Sequence, residues 1–267
     1  IGVIGDSGFG TQPTFDLDSE MAAHNPDFVL HTGDLVYRMA EDPNPYESYA
    51  FKWYLPFQPI LRQAPVYPVV GNHDIEAAAQ WEGQPFYYHV FPPFPDPRFS
   101  PSALAGQNKW YAFAYQDIQF LMLDTQTFFG ETGRFEQEVW LAERLADDRF
   151  RYTIPVFHVP SYTSGRHMLD SSPVQSWARL FEESNIPLAL SGHDHNYQRL
   201  IINDITYVVS GGGSAVLYPQ AEEPLPGSVI FAQRSHFVLL DVYTDRIELQ
   251  AITQDGEVID QATIPLG

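Results

Sequence analysis

The chain has 267 residues, and its 34 Asp and Glu against 14 Lys and Arg give a formal charge of −20. This charge excludes a nucleic-acid polymer or an anionic membrane bound through a broad basic surface, because the long-range field repels polyanions. The absence of Cys excludes disulfides, zinc fingers, iron–sulfur clusters and thiol catalysis. Apolar residues make up 44% of the chain, enough for a sizeable core, yet no apolar run approaches the ~20 residues of a membrane span.

Short apolar runs recur along the chain, and each is followed by a cluster of Gly, Asp, Asn or His. Their length is that of a buried strand. The runs are Ile1–Ile4, Phe28–His31, Val66–Val70, Ile154–Phe157 and Ile186–Leu190. Helix-like segments lie at Thr14–His24, at Tyr46–Gln63 (broken by Pro56 and Pro59), at Phe135–Ala146 and at Ser176–Glu183. The alternation predicts an α/β fold of βαβ units, with functional loops at the carboxyl ends of the strands.

Two stretches depart from this alternation. Residues Trp110–Asp124 predict a hairpin that turns near Gln116 and Asp117. Strand-like runs then fill the last part of the chain, at Ile205–Ser210, His236–Tyr243, Arg246–Thr253 and Glu257–Ile264. Together these stretches predict a second sheet packed on the first. Residues 75–108 are irregular and rich in Pro, which is typical of a functional or covering loop. We predict a single domain over residues 1–267.

The clusters after the apolar runs combine oxygen and imidazole ligands with glycine, which lets the backbone turn sharply. A phosphoester hydrolase can neutralise its substrate and activate water with two metal ions about 3.5–4 Å apart. Such a centre needs one bridging carboxylate, further oxygen ligands and several imidazoles. The candidates are Asp6, Asp34, Asn72, His158, His193 and His195. Tyr37 follows Asp34 by three residues, the spacing at which both side chains could face one ion.

The same clusters resemble the five sequence blocks of the calcineurin-like metallophosphoesterases. The matching segments are Asp6-Ser7-Gly8, Gly33-Asp34-Leu35-Val36-Tyr37, Gly71-Asn72-His73-Asp74, His158 and Gly192-His193-Asp194-His195. Within that superfamily the chain is most similar to the purple acid phosphatases, because Gly8 stands where most relatives have His and Tyr37 is present. Pro155 departs from the Val usual in the fourth block. The resemblance extends from Gly5 to about Gly213 and implies a four-layer αββα sandwich of two mixed sheets flanked by helices.

The resemblance also implies roles for the matching positions. Asp6, Tyr37 and His195 would hold Fe(III), Asp34 would bridge, and a divalent iron, zinc or manganese ion would be held by Asn72, His158 and His193. His73 would contact the phosphate or protonate the leaving group, and His167 would face the substrate. The implied reaction is acid phosphatase hydrolysis of a small phosphomonoester by metal-bound hydroxide.

Other interpretations stay open at this point. Tyr37 could simply pack in the core with its hydroxyl bonded, and His167 could be an exposed loop residue. The protein could instead be a phosphodiesterase of the same fold, acting on nucleotides or glycerophosphodiesters, or a non-catalytic metal-binding or phosphate-binding module. Because the sequence begins at Ile1 inside a strand-like run, we expect a preceding segment. The resemblance favours an extracytoplasmic location, periplasmic or secreted, and the oligomeric state is left undetermined.

Overall fold

The computed structural model describes residues 1–92, 109–130, 133–213 and 216–266. The strands are β1 (Gly2–Ile4), β2 (Val29–His31), β3 (Val66–Pro68), β4 (Gln80–Trp81), β5 (Gln84–Pro85), β6 (Tyr111–Tyr115), β7 (Ile118–Met122), β8 (Tyr152–Val156), β9 (Leu188–Ser191), β10 (Tyr197–Ile202), β11 (Ile205–Ser210), β12 (Ser228–Ala232), β13 (His236–Val242), β14 (Arg246–Thr253) and β15 (Val258–Pro265). The α-helices are α1 (Gln12–Ala23), α2 (Pro45–Tyr49), α3 (Gln58–Leu61), α4 (Tyr87–Val90), α5 (Arg134–Leu145) and α6 (Met168–Glu183).

Two large mixed sheets form the centre of the fold. Sheet 1 has the strand order β15-β14-β13-β1-β2-β3, with β1, β2 and β3 parallel. Sheet 2 has the order β12-β10-β11-β9-β8-β7-β6, with β7, β8, β9 and β11 parallel. The short strands β4 and β5 pair separately.

Three apolar cores separate four layers. The alternation of side chains along each strand sends Val3 and Leu30 to the core between the sheets, and their neighbours Ile4 and Val29 to the core under α1, α2 and α3. In sheet 2, Phe120 faces the central core, whereas the core under α5 and α6 contains the adjacent Leu121. This arrangement confirms the predicted αββα sandwich.

The division of strands between the sheets differs from the prediction. The hairpin β6–β7 joins β8 and β9 in sheet 2, whereas β13, β14 and β15 continue sheet 1 beside β1. The expectation that the hairpin and the C-terminal strands form one separate sheet is therefore wrong. The length and polarity of a sequence run identify it as a strand, but long-range packing determines which strand it pairs with. Strands β4, β5, β10 and β12 were not predicted.

The helices follow the predicted segments, except that α6 begins early and that the short α4 lies in the stretch predicted to be irregular. Residues Tyr46–Gln63 break as expected, into α2, a wide π-type turn over Ala50–Tyr54, and α3. Helix α6 begins eight residues before its predicted start and includes Pro173. Residues 93–108 of the irregular stretch lie outside the described part of the chain. Among the described residues, no helix has the length and apolar character that a membrane crossing requires. The single domain over residues 1–267 stays a prediction.

An ion pair connects the two sheets at the edge of sheet 1. The Asp260 carboxylate on β15 accepts hydrogen bonds from Arg199 Nε (2.7 Å) and Nη2 (3.0 Å) and from the Tyr197 hydroxyl (2.6 Å), both residues lying on β10. Burial raises the pKa of Asp260, but these hydrogen bonds lower it, and the net pKa lies below the ordinary value for Asp. The pair therefore stabilises the packing of sheet on sheet when Asp260 is ionised.

Substituting Asp260→Ala should lower the free energy of unfolding by about 3 kcal/mol, because it leaves the Arg199 charge partly buried without its partner. Asp245→Ala, at an exposed ion pair with Arg246, is the matched control and should cost less than about 1 kcal/mol. The stabilisation by Asp260 is present above the pKa of an unfolded Asp, about 3.9, and is lost as the pH falls through its lower folded pKa. Urea unfolding of Asp260→Ala against wild type at neutral pH and at acidic pH measures both effects. Equal stability at neutral pH would contradict the assignment.

Candidate metal centre

The predicted site residues lie where the parallel strands of both sheets end. Asp6, Asp34 and Asn72 follow β1, β2 and β3 in sheet 1, while His158 and His193 follow β8 and β9 in sheet 2. The backbone N–H of His193 donates to Asp6 Oδ2 at 2.9 Å. This bond directly joins the strand-end loops of the two sheets, so the carboxyl edges of both sheets line one site.

The backbone at this site is unusual for residues with side chains. Asp6, Asp34 and His193 all have positive φ, at +59°, +57° and +68°. A left-handed conformation costs a non-glycine residue about 1–2 kcal/mol, and such positions cluster at functional sites. Two glycines permit the close approach of the loops. A Cβ on Gly71 would lie 2.2 Å from Asp34 Oδ1, and one on Gly192 would lie 2.5 Å from Asp6 Oδ2.

One half of the site combines Asp6, Tyr37 and His195. The Tyr37 hydroxyl donates to Asp6 Oδ1 at 3.0 Å and lies 2.9 Å from His195 Nε2. His195 Nε2 lies 3.5 Å from Asp6 Oδ1. All three side chains are buried. Their two oxygens and one nitrogen therefore converge on one point.

The other half combines Asn72, His158 and His193. His158 Nε2 lies 3.0 Å from Asn72 Oδ1 and 3.2 Å from His193 Nδ1. Asp34 connects the halves, because its Oδ2 lies 3.4 Å from His158 Nε2 and ligand atoms of Asp6, Asp34 and His158 lie within 4.8 Å of one another. All seven predicted ligands thus share one cluster. Their role as ligands stays a prediction.

Each of the three clustered histidines directs one ring nitrogen into the site and bonds a support with the other. His158 Nδ1 donates to the Thr32 carbonyl at 2.8 Å, and His195 Nδ1 donates to the Val216 carbonyl at 2.7 Å. His193 Nε2 donates to Asp170 Oδ2 at 3.2 Å. Metal-binding histidines characteristically donate their second N–H in this way. Together with Asp, Asn and Tyr oxygens, these nitrogens form a donor set that suits iron, zinc or manganese.

The electrostatics of the cluster also fit a cation. No Lys or Arg of the described residues forms an ion pair with the buried Asp6 or Asp34. Burial, reinforced by the Asp34 and Asp6 carboxylates, raises the pKa of Tyr37 well above its ordinary value. Burial lowers the pKa of His158, but the Asp34 and Asp6 charges outweigh it and raise that pKa to about 9. The buried carboxylates therefore favour bound protons or other positive charge in the cluster.

The two predicted catalytic histidines lie at the rim of the cluster. The backbone N–H of His73 donates to Asp34 Oδ1 at 2.9 Å, and its Nδ1 lies 3.1 Å from Glu76 Oε2. The His73 side chain is 38% exposed, so its ring can meet a ligand from solvent. The His167 ring lies 4.2 Å from the His193 ring, and its Nδ1 is 2.9 Å from Asp170 Oδ2.

Sequence reasoning assigned no role to several residues that support the cluster. Asp74 accepts the backbone N–H groups of Asp34, Leu35 and Gly71, each at 2.9 Å. Asp74 lies inside the third sequence block, and the position of that block directly after a strand could have indicated its supporting role. The buried His31 ring stabilises the same loop, because its Nδ1 accepts a hydrogen bond from the Gly33 N–H at 3.2 Å. Burial lowers the pKa of His31 to about 3, so the ring is neutral and Nδ1 can act as an acceptor.

Tyr218, Asp170 and the Glu76 carboxylate beside His73 were not indicated by the sequence either. The Tyr218 ring stacks on His195 at 4.3 Å and fixes the plane of that ring. Asp170 contacts two histidines, and its only sequence signal is the three-residue spacing from His167.

Known proteins of similar sequence include acid phosphatases, at low identity. Purple acid phosphatase 23 of Arabidopsis thaliana is 26% identical over 227 residues, covering 75% of this chain and 47% of that protein. Tartrate-resistant acid phosphatase type 5 of Sus scrofa is 25% identical over 219 residues, covering 70% of this chain and 58% of that protein. The chain spans about half the length of the curated relatives it matches.

Solved structures share the fold. The purple acid phosphatase PPD1 from yellow lupin (Lupinus luteus) seeds superposes with a TM-score of 0.71 at 20% identity, over 99% of this chain and 53% of that one. GAP50, described as the anchor in the inner membrane complex of Plasmodium, gives 0.76 at 16% identity, over 100% and 88%. Residues 1–197 match the family model of the calcineurin-like phosphoesterases. With five ordered blocks, the four-layer sandwich and this match, the chain belongs to the calcineurin-like phosphoesterase family.

Proposed function

We propose that this protein is an acid phosphatase that hydrolyses small phosphomonoesters at a centre of two metal ions. The family supports a metal-dependent phosphoesterase. One observation supports the proposal of an acid phosphatase with two metal ions. Seven oxygen and nitrogen donors converge from both sheets, and they include the Tyr37 hydroxyl beside Asp6 and His195. The extracytoplasmic location that the resemblance implies is part of the same proposal.

The donors divide into two sets around Asp34. Asp6, Tyr37 and His195 would hold Fe(III), and Asn72, His158 and His193 would hold a divalent iron, zinc or manganese ion. Asp34, which contacts the second set and lies beside the first, would bridge the ions. Ions bound there would neutralise the phosphate charge and activate water for hydrolysis.

The charge of this donor set favours a small anion. Asp6, Asp34 and a Tyr37 phenolate carry three negative charges, whereas Asn72 and the three neutral histidines carry none. One ferric and one divalent ion carry five positive charges, which leaves the site at about +2 before substrate binds. The chain's overall charge of −20 therefore repels polyanions without closing the site to a phosphomonoester.

His73 and His167 are suited to the leaving group. Each has its Nδ1 beside a carboxylate, Glu76 for His73 and Asp170 for His167. This contact fixes the proton on Nδ1 and directs Nε2 away from the carboxylate. A protonated Nε2 can then hydrogen-bond a phosphate oxygen or donate a proton to the departing oxygen.

Purified protein loaded with iron and zinc should hydrolyse 4-nitrophenyl phosphate faster than bis(4-nitrophenyl) phosphate at acidic pH, because a monoester has three unesterified phosphate oxygens to contact the ions and the rim histidines, whereas the bis-ester has two. Asp34→Ala should reduce turnover to background and lower the metal content below two ions per chain, measured by elemental analysis. Asp245→Ala is the matched control, since it removes an exposed carboxylate. Preference for the bis-ester would indicate a phosphodiesterase, and two bound ions without turnover on either ester would indicate a non-catalytic module.

The Tyr37 assignment has a spectroscopic test. A phenolate on ferric iron gives a visible charge-transfer band, so the iron-loaded protein should be coloured. Tyr37→Phe removes the phenolate and should abolish the band while iron stays bound through Asp6 and His195. Tyr218→Phe is the control, because its ring stacks on His195 without reaching the donor cluster. A colourless active wild-type protein would remove Tyr37 from the ligand set.

His73→Ala should lower kcat by about 10²–10⁴-fold, the usual contribution of a general acid or base. The metal content should not change, because the His73 side chain is not among the seven donors. Steady-state kinetics on 4-nitrophenyl phosphate and on an alkyl phosphate separate the two possible roles of His73. Proton donation matters most for the poor alkoxide leaving group, whereas phosphate contact affects both esters alike. Unchanged kcat on both esters would exclude either role.

A further inference from the structure

One carboxylate oxygen outside the seven donors contacts two imidazoles at once. Asp170 Oδ2 lies 2.9 Å from His167 Nδ1 and 3.2 Å from His193 Nε2. The two rings lie 4.2 Å apart. Asp170 thus contacts the ring of a proposed ligand of the divalent ion and the ring of a proposed catalytic histidine.

A third metal ion is the obvious competing explanation of this cluster. One ligand atom from each of His167, Asp170 and His193 can be found within 4.8 Å of the others. However, His193 Nδ1 already points at the main site, 3.2 Å from His158 Nε2. A neutral imidazole has one nitrogen with a free lone pair, and the other carries a proton. His193 therefore cannot bind metal through both nitrogens while it stays neutral.

We propose that Asp170 is a positioning residue that sets the tautomers of His193 and His167. By accepting the His193 Nε2–H, it presents the Nδ1 lone pair to the divalent ion. By accepting the His167 Nδ1–H, it leaves Nε2 to meet the substrate. The assignment of an ion and a substrate to these atoms rests on the proposed function.

The backbone holds Asp170 in place for this task. Asp170 is the third residue of α6, where the helix dipole stabilises a carboxylate. The His167 backbone N–H donates to Asp194, the residue between His193 and His195, at 3.2 Å. The segment that carries His167 and Asp170 is therefore tied to the loop that carries the proposed ligands.

His193 differs from the other two clustered histidines in the nature of its partner. His158 and His195 donate to the carbonyls of Thr32 and Val216, which mutation cannot remove. His193 donates to a side chain, and that side chain is 45% exposed. Its removal can therefore test the positioning role without opening a cavity in a core.

The test is Asp170→Asn in the full chain, with Zn²⁺ alone as the probe. An amide cannot accept from both histidines through one charged oxygen, so the affinity for one of two Zn²⁺ ions should fall about 10–100-fold. The other ion should bind as in wild type, and the melting temperature of the metal-free protein should fall by at most about 2–4 °C, the size of a surface helix-dipole contribution. Glu183→Gln, at the exposed C-terminal end of the same helix, is the matched control. Asp170→Glu, which keeps the charge, should recover part of the affinity.

Equilibrium dialysis with elemental analysis distinguishes the outcomes. Wild-type affinity of Asp170→Asn for both ions would overturn the proposal. Three Zn²⁺ ions per wild-type chain, reduced to two in Asp170→Asn, would overturn it in favour of a third metal site. Absence of phosphomonoesterase activity in the wild type would reject the proposed function, yet the loss of Zn²⁺ affinity would still support the positioning of His193 by Asp170.

Discussion

The hydrogen bond from the His193 backbone to Asp6 is the contact on which the site depends. It spans the two sheets at their carboxyl edges, 187 residues apart in the chain. Its geometry requires a left-handed backbone at both residues and a glycine at position 192, where a Cβ would collide with Asp6. Local strain at the loop ends is therefore balanced by contacts that only the assembled sandwich provides.

A second buried carboxylate, Asp74, explains how the backbone N–H groups of the Asp34 loop can be buried. Asp74 satisfies three backbone N–H groups of the Asp34 loop and fixes where the Asp34 carboxylate points. Burial raises the pKa of Asp74 itself to about 8, and the neighbouring Asp34 charge acts in the same direction. The carboxylates of Asp34 and Asp74 therefore repel each other when both are ionised. Positive charge in the cluster reduces this repulsion, which is a physical reason for a cation beside Asp34.

Much of the fold and of the cluster follows from the sequence, because both depend on local signals. A buried strand that ends in a Gly–Asp, Asn–His or His-x-His segment identifies a strand and its functional loop together. No local signal predicts the pairing of β13 with β1. Val238 and Val3 become neighbours only when the packing of distant parts of the chain determines which sheet β13 joins. Asp170 was missed for the same reason. Its pairing with His167 is visible in the spacing, but its contact with His193, 23 residues away, requires the folded chain.

The origin of the donors couples metal binding to folding. Asp6, Asp34, Tyr37 and Asn72 follow strands of sheet 1, whereas His158, His193 and His195 follow strands of sheet 2. On the proposed assignment, each ion has ligands from both sheets, so the ions bind strongly only when the sheets are packed together. A ligand specific for the native state adds about 2.7 kcal/mol when its concentration is 100 times its Kd. This gain is of the same order as the cost of the three left-handed residues, at about 1–2 kcal/mol each. On this assignment the backbone strain that forms the site would be offset most fully in the metal-loaded protein, which would link the stability of the sandwich to the chemistry at its edge.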